Sequence, residues 1–360
     1  DEAVATRIFR KFNGQYMFPE AHAFAFGVNA YQMSWLKYYY PLEFYVSLFN
    51  QQPMGFYNLE TLKEDAKRHG IHILHPDVNR SEVHCVPEAL RSIRLGLLHV
   101  RAVGQDAAET VVHEREAHGP YASVADLMAR SWLLRGSLDN LTDAGALDGL
   151  NPPSGAGKSH AGGKGVPSLP PNIPQVGGGD GASHIAARQQ GERQGTRWEI
   201  GLRYRPAGAQ LSLPLSVEQD MVPLPEASAW AGMEREYRTI GLHPAGHVMA
   251  YLRNSLPGIL TSRDMGELND GTQVRVAGLV IRRQRPLAKA VFITLEDEFG
   301  HTPLVIWPSV YERFRMALKE AFLIADGVIS HREGTMNIAV ASVKAIEGIG
   351  ALPLRSKDWG

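Results

Sequence analysis

From Gly271 onward the chain alternates apolar and polar residues with a period of two, which limits its C-terminal region to a sheet or a barrel. Five short strands are predicted: TQVRVAGLVI, AVFITLEDE, TPLVIWP, FLIADGVIS and MNIAVASVKAI, most of them separated by glycine, proline or charged residues. A helical segment, SVYERFRMALKEA, falls after the third. Five strands with a helix inserted after strand three is the order of an OB-fold barrel, expected here over residues 261–347. Such barrels bind single strands by stacking bases on aromatics and following phosphates with cations. Arg282, Arg283, Arg285 and Lys289 fall in the first strand–strand connection, beside Phe292 on the second strand, and form the candidate contact. A solvated basic turn is the plainer reading of the same residues.

Residues 151–196 are dense in glycine and proline and nearly free of large apolar side chains. Such a stretch cannot bury enough surface to offset chain ordering, so a disordered linker is expected there. PSGAGKS inside it resembles the end of a phosphate-binding loop. That reading fails, because Pro152 stands where the motif needs glycine and no apolar strand leads in. Residues 197–260 then form a helical connector, followed by the barrel and a tail at 348–360. QLSLPL at 210–215 has the form of an extended peptide that inserts into a partner's apolar groove, anchored by Gln210, Leu213 and Leu215. An ordinary strand or loop is the alternative.

The N-terminal half reads as helical. In residues 1–85, aromatics recur at helical spacing from Tyr31 to Phe49, with Pro41 opening a new helix. LETLKEDAKRHG ends at Gly70, and IHILHPDVN reads as a short strand. His69, His72, His75, His84 and Cys85 invite a metal reading, but Gly70 and Pro76 break any helix that would gather them; no metal site is expected. Residues 86–150 suggest tandem helix-hairpin-helix units. RLGLLHVRAVGQDAAETVVHEREAHG reads as helix, tight turn at Ala102-Val103-Gly104, then helix from Gln105. A weaker echo follows in VADLMAR and GSLDNLTDAGALDGL. In such a motif, free amides at a helix N-terminus face a duplex phosphate, so Gly104, Gln105 and Asp106, helped by Arg101, are the candidate contacts. A plain helical hairpin fits the same spacing.

At 360 residues the chain is long enough for several domains, and the fold class expected is α+β multidomain. Its net charge of −1 excludes binding by bulk positive charge, so any nucleic-acid contact must come from local clusters or backbone amides. A single cysteine excludes an intrachain disulfide and points to a reducing compartment. No apolar run approaches the roughly 20 residues that span a bilayer. The N-terminus lacks the order of a signal peptide and reads as a chain entered mid-domain; the cytoplasm is the expected location.

Longer motifs are more specific. GQYMFPEAHAFAFGVNAYQMSWLKYYYPLEFYVSLFNQQPMGFY resembles the fingers region of bacterial C-family DNA polymerases, which are DNA polymerase III alpha-subunit-like, and its QPMGFY ending resembles their error-prone branch. DAKRHGIHILHPDVNRS, IRLGLLHVRAVG, LTDAGALDGL, EYRTIGLHPAGHVMAYLR, AGLVIRRQRP, FITLEDEFGHTPLVIWPSVYERFR and LRSKDW continue the resemblance in the same order. It implies the C-terminal portion of a translesion polymerase, binding primer–template duplex through the hairpins and single-stranded template near the barrel. By the same resemblance His22 lies near an incoming deoxynucleoside triphosphate, Lys37 faces DNA or solvent, and QLSLPL is similar to a sliding-clamp-binding peptide. The family's palm aspartates, which hold two Mg2+ ions, have no counterpart here. No catalytic residue can be named, no cofactor is expected in this chain, and alone it should be inactive. Departures from the family pattern are Met17, Ala21, Ala102 in place of the first hairpin glycine, and the shortened LAKAV. A non-enzymatic OB-fold nucleic-acid-binding protein and a clamp-associated scaffold are the rival readings.

Overall fold

The computed structural model describes residues 20–55, 57–150, 193–205, 228–285, 290–332, 335–349, 352–354 and 357–359, with residues 2 and 6. Helix α1 (Glu20–Tyr39) gives way to α2 (Pro41–Asn50), where the proline ring suits a first turn that has no amide to satisfy. Helix α3 (Leu59–Arg68) is capped by Asn58, whose side chain accepts from the Thr61 amide at 2.8 Å, and it ends before Gly70 at φ +75°.

Three short strands follow, β1 (His72–Leu74), β2 (Val86–Ala89) and β3 (Ser92–Arg94), in the order β1-β3-β2. The helix expected over RLGLLHV is absent: β3 leads into a single 3-10 turn at Leu97–His99. The backbone is committed elsewhere: β3 pairs with both β1 and β2, and the Leu95, Leu97 and Leu98 amides donate to the Leu74, Glu82 and Val83 carbonyls. Gly96 is pressed against His84 so closely that a Cβ would stand 2.3 Å from the His84 carbonyl carbon, so only glycine fits there. Helices α4 (Gln105–His118), α5 (Val124–Ser131) and α6 (Arg135–Asp143) complete the hairpin region.

One apolar core joins Tyr45 and Phe49 of α2 to Val111, Leu127, Leu138 and Leu141 of the hairpins. Ile200, Ile240 and Leu242 belong to it as well, so the connector packs back on the N-terminal half. The connector comprises α7 (193–203), α8 (Ala229–Ile240) and α9 (Val248–Leu252). Residues 193–196, assigned above to the linker, are helical, and Arg193 and Thr196 are buried. Arg193 is tolerated inside because its guanidinium meets Asp148 at 2.7 Å and Glu236 at 2.8 Å.

The C-terminal strands are β4 (Gln273–Gln284), β5 (Val291–Glu296), β6 (His301–Ile306), β7 (Phe322–Arg332) and β8 (Thr335–Ala345), with α10 (Pro308–Phe314) between β6 and β7. The order β5-β6-β8-β7-β4 closes through the β4–β5 pairing, giving a five-stranded barrel in which β6 and β8 run parallel. Val280, Ile293, Leu304, Ile306, Leu323 and Ile338 fill its interior. Strand β9 (Lys357–Trp359), in the expected tail, pairs in parallel with β4 from Arg282 to Gln284.

Candidate nucleic-acid interface

Helix α4 starts at an exposed turn. Val103 is buried and anchors it, while Arg101, Ala102, Gly104, Gln105 and Asp106 face solvent. Gly104 is the N-cap and supplies no side-chain cap, and open space surrounds the position of its missing Cβ. The helix dipole and first-turn amides therefore meet water at a spot a phosphate can reach. The turn is held from behind: Ser137 donates to the Ala102 carbonyl at 2.7 Å and Asn140 to the Arg101 carbonyl at 2.7 Å. Arg101 adds a cation, while exposed Asp106 and Glu109 moderate the field.

The same two bonds bring the start of α6 beside this turn. Its N-cap, Leu134, also lacks a side-chain cap. The connection from α5 to α6 presents Trp132, 82% exposed at φ 50°, with Leu134, Arg135 and Gly136. The weaker echo read over VADLMAR and GSLDNLTDAGALDGL also contains the small residues Ala144-Gly145-Ala146. That second turn is buried, and a Cβ at Gly145 would stand 2.3 Å from the Arg193 guanidinium, so Arg193 occupies the approach. Gly136 just after Trp132-Leu133-Leu134-Arg135 was the available signal for the exposed turn.

On the barrel, the expected cationic cluster divides. Phe292, 41% exposed, stands opposite Gln284 on β4 and Val305 on β6, with Thr294 opposite exposed Arg282. These residues share the outer face. Arg283 turns away: its guanidinium donates to the carbonyls of Leu318 and Glu320 at 2.9 and 2.5 Å. Arg285 lies over the Tyr311 ring at 4.4 Å, at the α10 end. Lys289 is outside the described residues. At the opposite end of β5, Glu296 is buried against α3, accepting from Thr61 at 3.0 Å beside Arg68 at 3.5 Å. Asp297 accepts from the Ser262 hydroxyl and amide and from the Phe299 and Gly300 amides, so it organises a loop.

Residues 70–155 match the helix-hairpin-helix motif family, and residues 274–346 match the family described as OB-fold nucleic acid binding domain. Over 99% of its length the chain is 35% identical to an error-prone DNA polymerase of Anaeromyxobacter dehalogenans (strain 2CP-C). It is 32% identical, again over 99%, to one of Rhodopirellula baltica. Nearly the whole chain matches a portion of error-prone DNA polymerases. It spans about 30% of the length of these curated relatives. Asparaginyl-tRNA synthetase from Pyrococcus horikoshii, complexed with asparaginyl-adenylate, is a solved structure similar over 25% of this chain and 23% of its own. It is 25% identical with a TM-score of 0.23, too distant to add to the assignment.

The fingers candidates are well separated from the barrel in sequence. His22 lies on exposed α1, its ring 4.3 Å from that of Phe26. Lys37, half-buried, pairs with Asp65 at 2.7 Å, which also accepts from the Tyr45 hydroxyl at 2.7 Å. His75 bonds Glu236 at 2.9 Å, and the buried Cys85 sulfur accepts from the Gly96 amide. Gln210, Leu213 and Leu215, and the PSGAGKS stretch, lie outside the described residues. No described helix is long and apolar enough to cross a membrane.

Proposed function

We propose that this chain is the DNA-holding part of an error-prone translesion polymerase. The turn at 101–106 grips the duplex backbone, and the outer face of β4–β6 follows the single-stranded template. The observation that carries the reading is the uncapped start of α4 at an exposed turn whose Gly104 opens on empty space. Phosphate contacts of this kind position a duplex without reading its sequence, as a polymerase requires. Nucleotidyl transfer and its Mg2+ ions belong, on this proposal, to the part of the polymerase that the chain does not span. His22 then stands toward the incoming deoxynucleoside triphosphate, and the setting is the cytoplasm.

The isolated chain should bind primer–template duplex, lose affinity with rising salt, and incorporate no nucleotide; a fluorescence-anisotropy titration and a primer-extension assay check this. Gly104→Asp adds a carboxylate where space is open and φ is −81°, so the fold should persist while duplex affinity falls about tenfold, or ~1.4 kcal/mol. Unchanged affinity of that variant would remove the turn from the interface.

QLSLPL is proposed as the sliding-clamp peptide. A bacterial sliding clamp should capture the wild-type chain and lose the Gln210→Ala/Leu213→Ala variant; equal capture of both removes the peptide from the reading.

A further inference from the structure

The two arginines that leave the strand face do so toward a common place. Arg283 and Arg285 line a cavity of about 240 Å³ between the β4–β5 end of the barrel and the segment from α10 to Lys319. Val291, Ile293 and Leu318 give it an apolar floor, and Arg315 and Lys319 stand at its rim. Among the described residues, none of the lining side chains is acidic. Arg285, Arg315 and Lys319 gather positive charge around this concavity, and the field they focus favours an anion.

The cations differ in how firmly they are held. Arg283 commits its guanidinium to the Leu318 and Glu320 carbonyls, which fastens the 3-10 turn Ala317–Lys319 to β4. Arg285 stands over the Tyr311 ring. These interactions fix the walls before any ligand arrives, which lowers the ordering cost of binding. Arg315 and Lys319 are exposed, with long side chains able to fold over an anion. Guanidinium forks and an ammonium are the donors that suit phosphate oxygens. The cavity also adjoins the outer strand face, since Gln284 both lines it and stands opposite Phe292. Its volume exceeds that of a phosphate alone, and its apolar floor suits the sugar or base attached to one.

We propose that this cavity seats a phosphate of a nucleic-acid strand running off the β4–β6 face, held by Arg285, Arg315 and Lys319. The proposal rests on the single-strand reading of the barrel. The test uses the full chain and two oligothymidylates, one with and one without a 5′-phosphate, titrated across a salt series. Arg315→Ala/Lys319→Ala should lower affinity about tenfold at low salt and flatten the salt dependence by roughly 0.7 for each phosphate no longer neutralised. Phe292→Ala should weaken binding and keep the slope. Equal weakening for both oligonucleotides assigns the cavity to an internal phosphate; weakening confined to the phosphorylated one assigns it to a strand end, and both support the cavity. Arg315→Lys/Lys319→Arg, which keeps the charges, should restore the slope. An unchanged slope in the double alanine variant, with normal wild-type binding, overturns the cavity and leaves the barrel reading standing. No single-strand binding by the wild-type chain overturns both.

Discussion

Ala102 carries the hairpin's main departure at the level of single residues. It sits at φ 63°, the left-handed region where a Cβ crowds the backbone at a cost of about 1–2 kcal/mol. The turn persists because Ser137 and Asn140 hold its carbonyls and Val103 is buried beneath it. Ala102→Gly should therefore raise stability by about 1 kcal/mol in a urea melt, without loss of duplex binding. His99 sets a second expectation. Burial, reinforced by His84, pushes its imidazole down from 6.5 to about 4. An unfolded chain takes up that proton near pH 6.5 and the folded one refuses it, so stability is lost as pH falls from about 6.5 toward 4. His99→Asn should make the decline shallower in that window, read from melts at successive pH values.

Among elements, α3 does more than its length suggests. Its surface residues by composition, Glu60, Lys63 and Glu64, are all buried. Lys63 pairs with Glu60 at 2.8 Å and Glu64 at 2.6 Å and donates to the His243 and Gly246 carbonyls at 2.9 and 2.5 Å. Tyr237 of α8 donates to Glu60 at 2.8 Å, and burial pushes the Glu60 carboxyl up to about 7. Helix α3 is thus a charged dowel between the N-terminal core and the connector. Lys63→Met would strand two buried carboxylates and should cost about 3–5 kcal/mol in a denaturant melt. A cost below ~1 kcal/mol would show that the joint does not depend on the ion pairs. Where an element's own pattern decided its form, it was legible: Pro41 opening α2, Gly70 closing α3, and the five alternating strands. RLGLLHV was not, because its apolar spacing suits a helix while the Leu95, Leu97 and Leu98 amides are taken by carbonyls of other segments, at Leu74, Glu82 and Val83.

At the scale of the whole molecule, the barrel is tied to the N-terminal half through Thr61, Arg68 and Glu296, residues more than two hundred positions apart in the chain. That junction buries the far end of β5 and leaves the Phe292 end exposed. The hairpin turn and the barrel face thus remain open on one chain, as the proposed grip on duplex and single strand requires. Helix α1 presents Phe24, Tyr31, Tyr38 and Tyr39 to solvent, an apolar load uncommon on a stable surface.

By itself the sequence determined the barrel's strand order, the helical character of the N-terminal half and the resemblance to error-prone polymerases, since periodicity and collinear motifs are local properties that survive without coordinates. Tertiary structure alone decided which candidate residues share a surface. Arg282 and Arg283 are neighbours in the chain, yet alternation across a pleated strand sends one to the outer face and the other behind α10. Arg193, forty-eight positions beyond Gly145, closes over that glycine. Such meetings depend on the packing of distant segments, which no window of sequence contains.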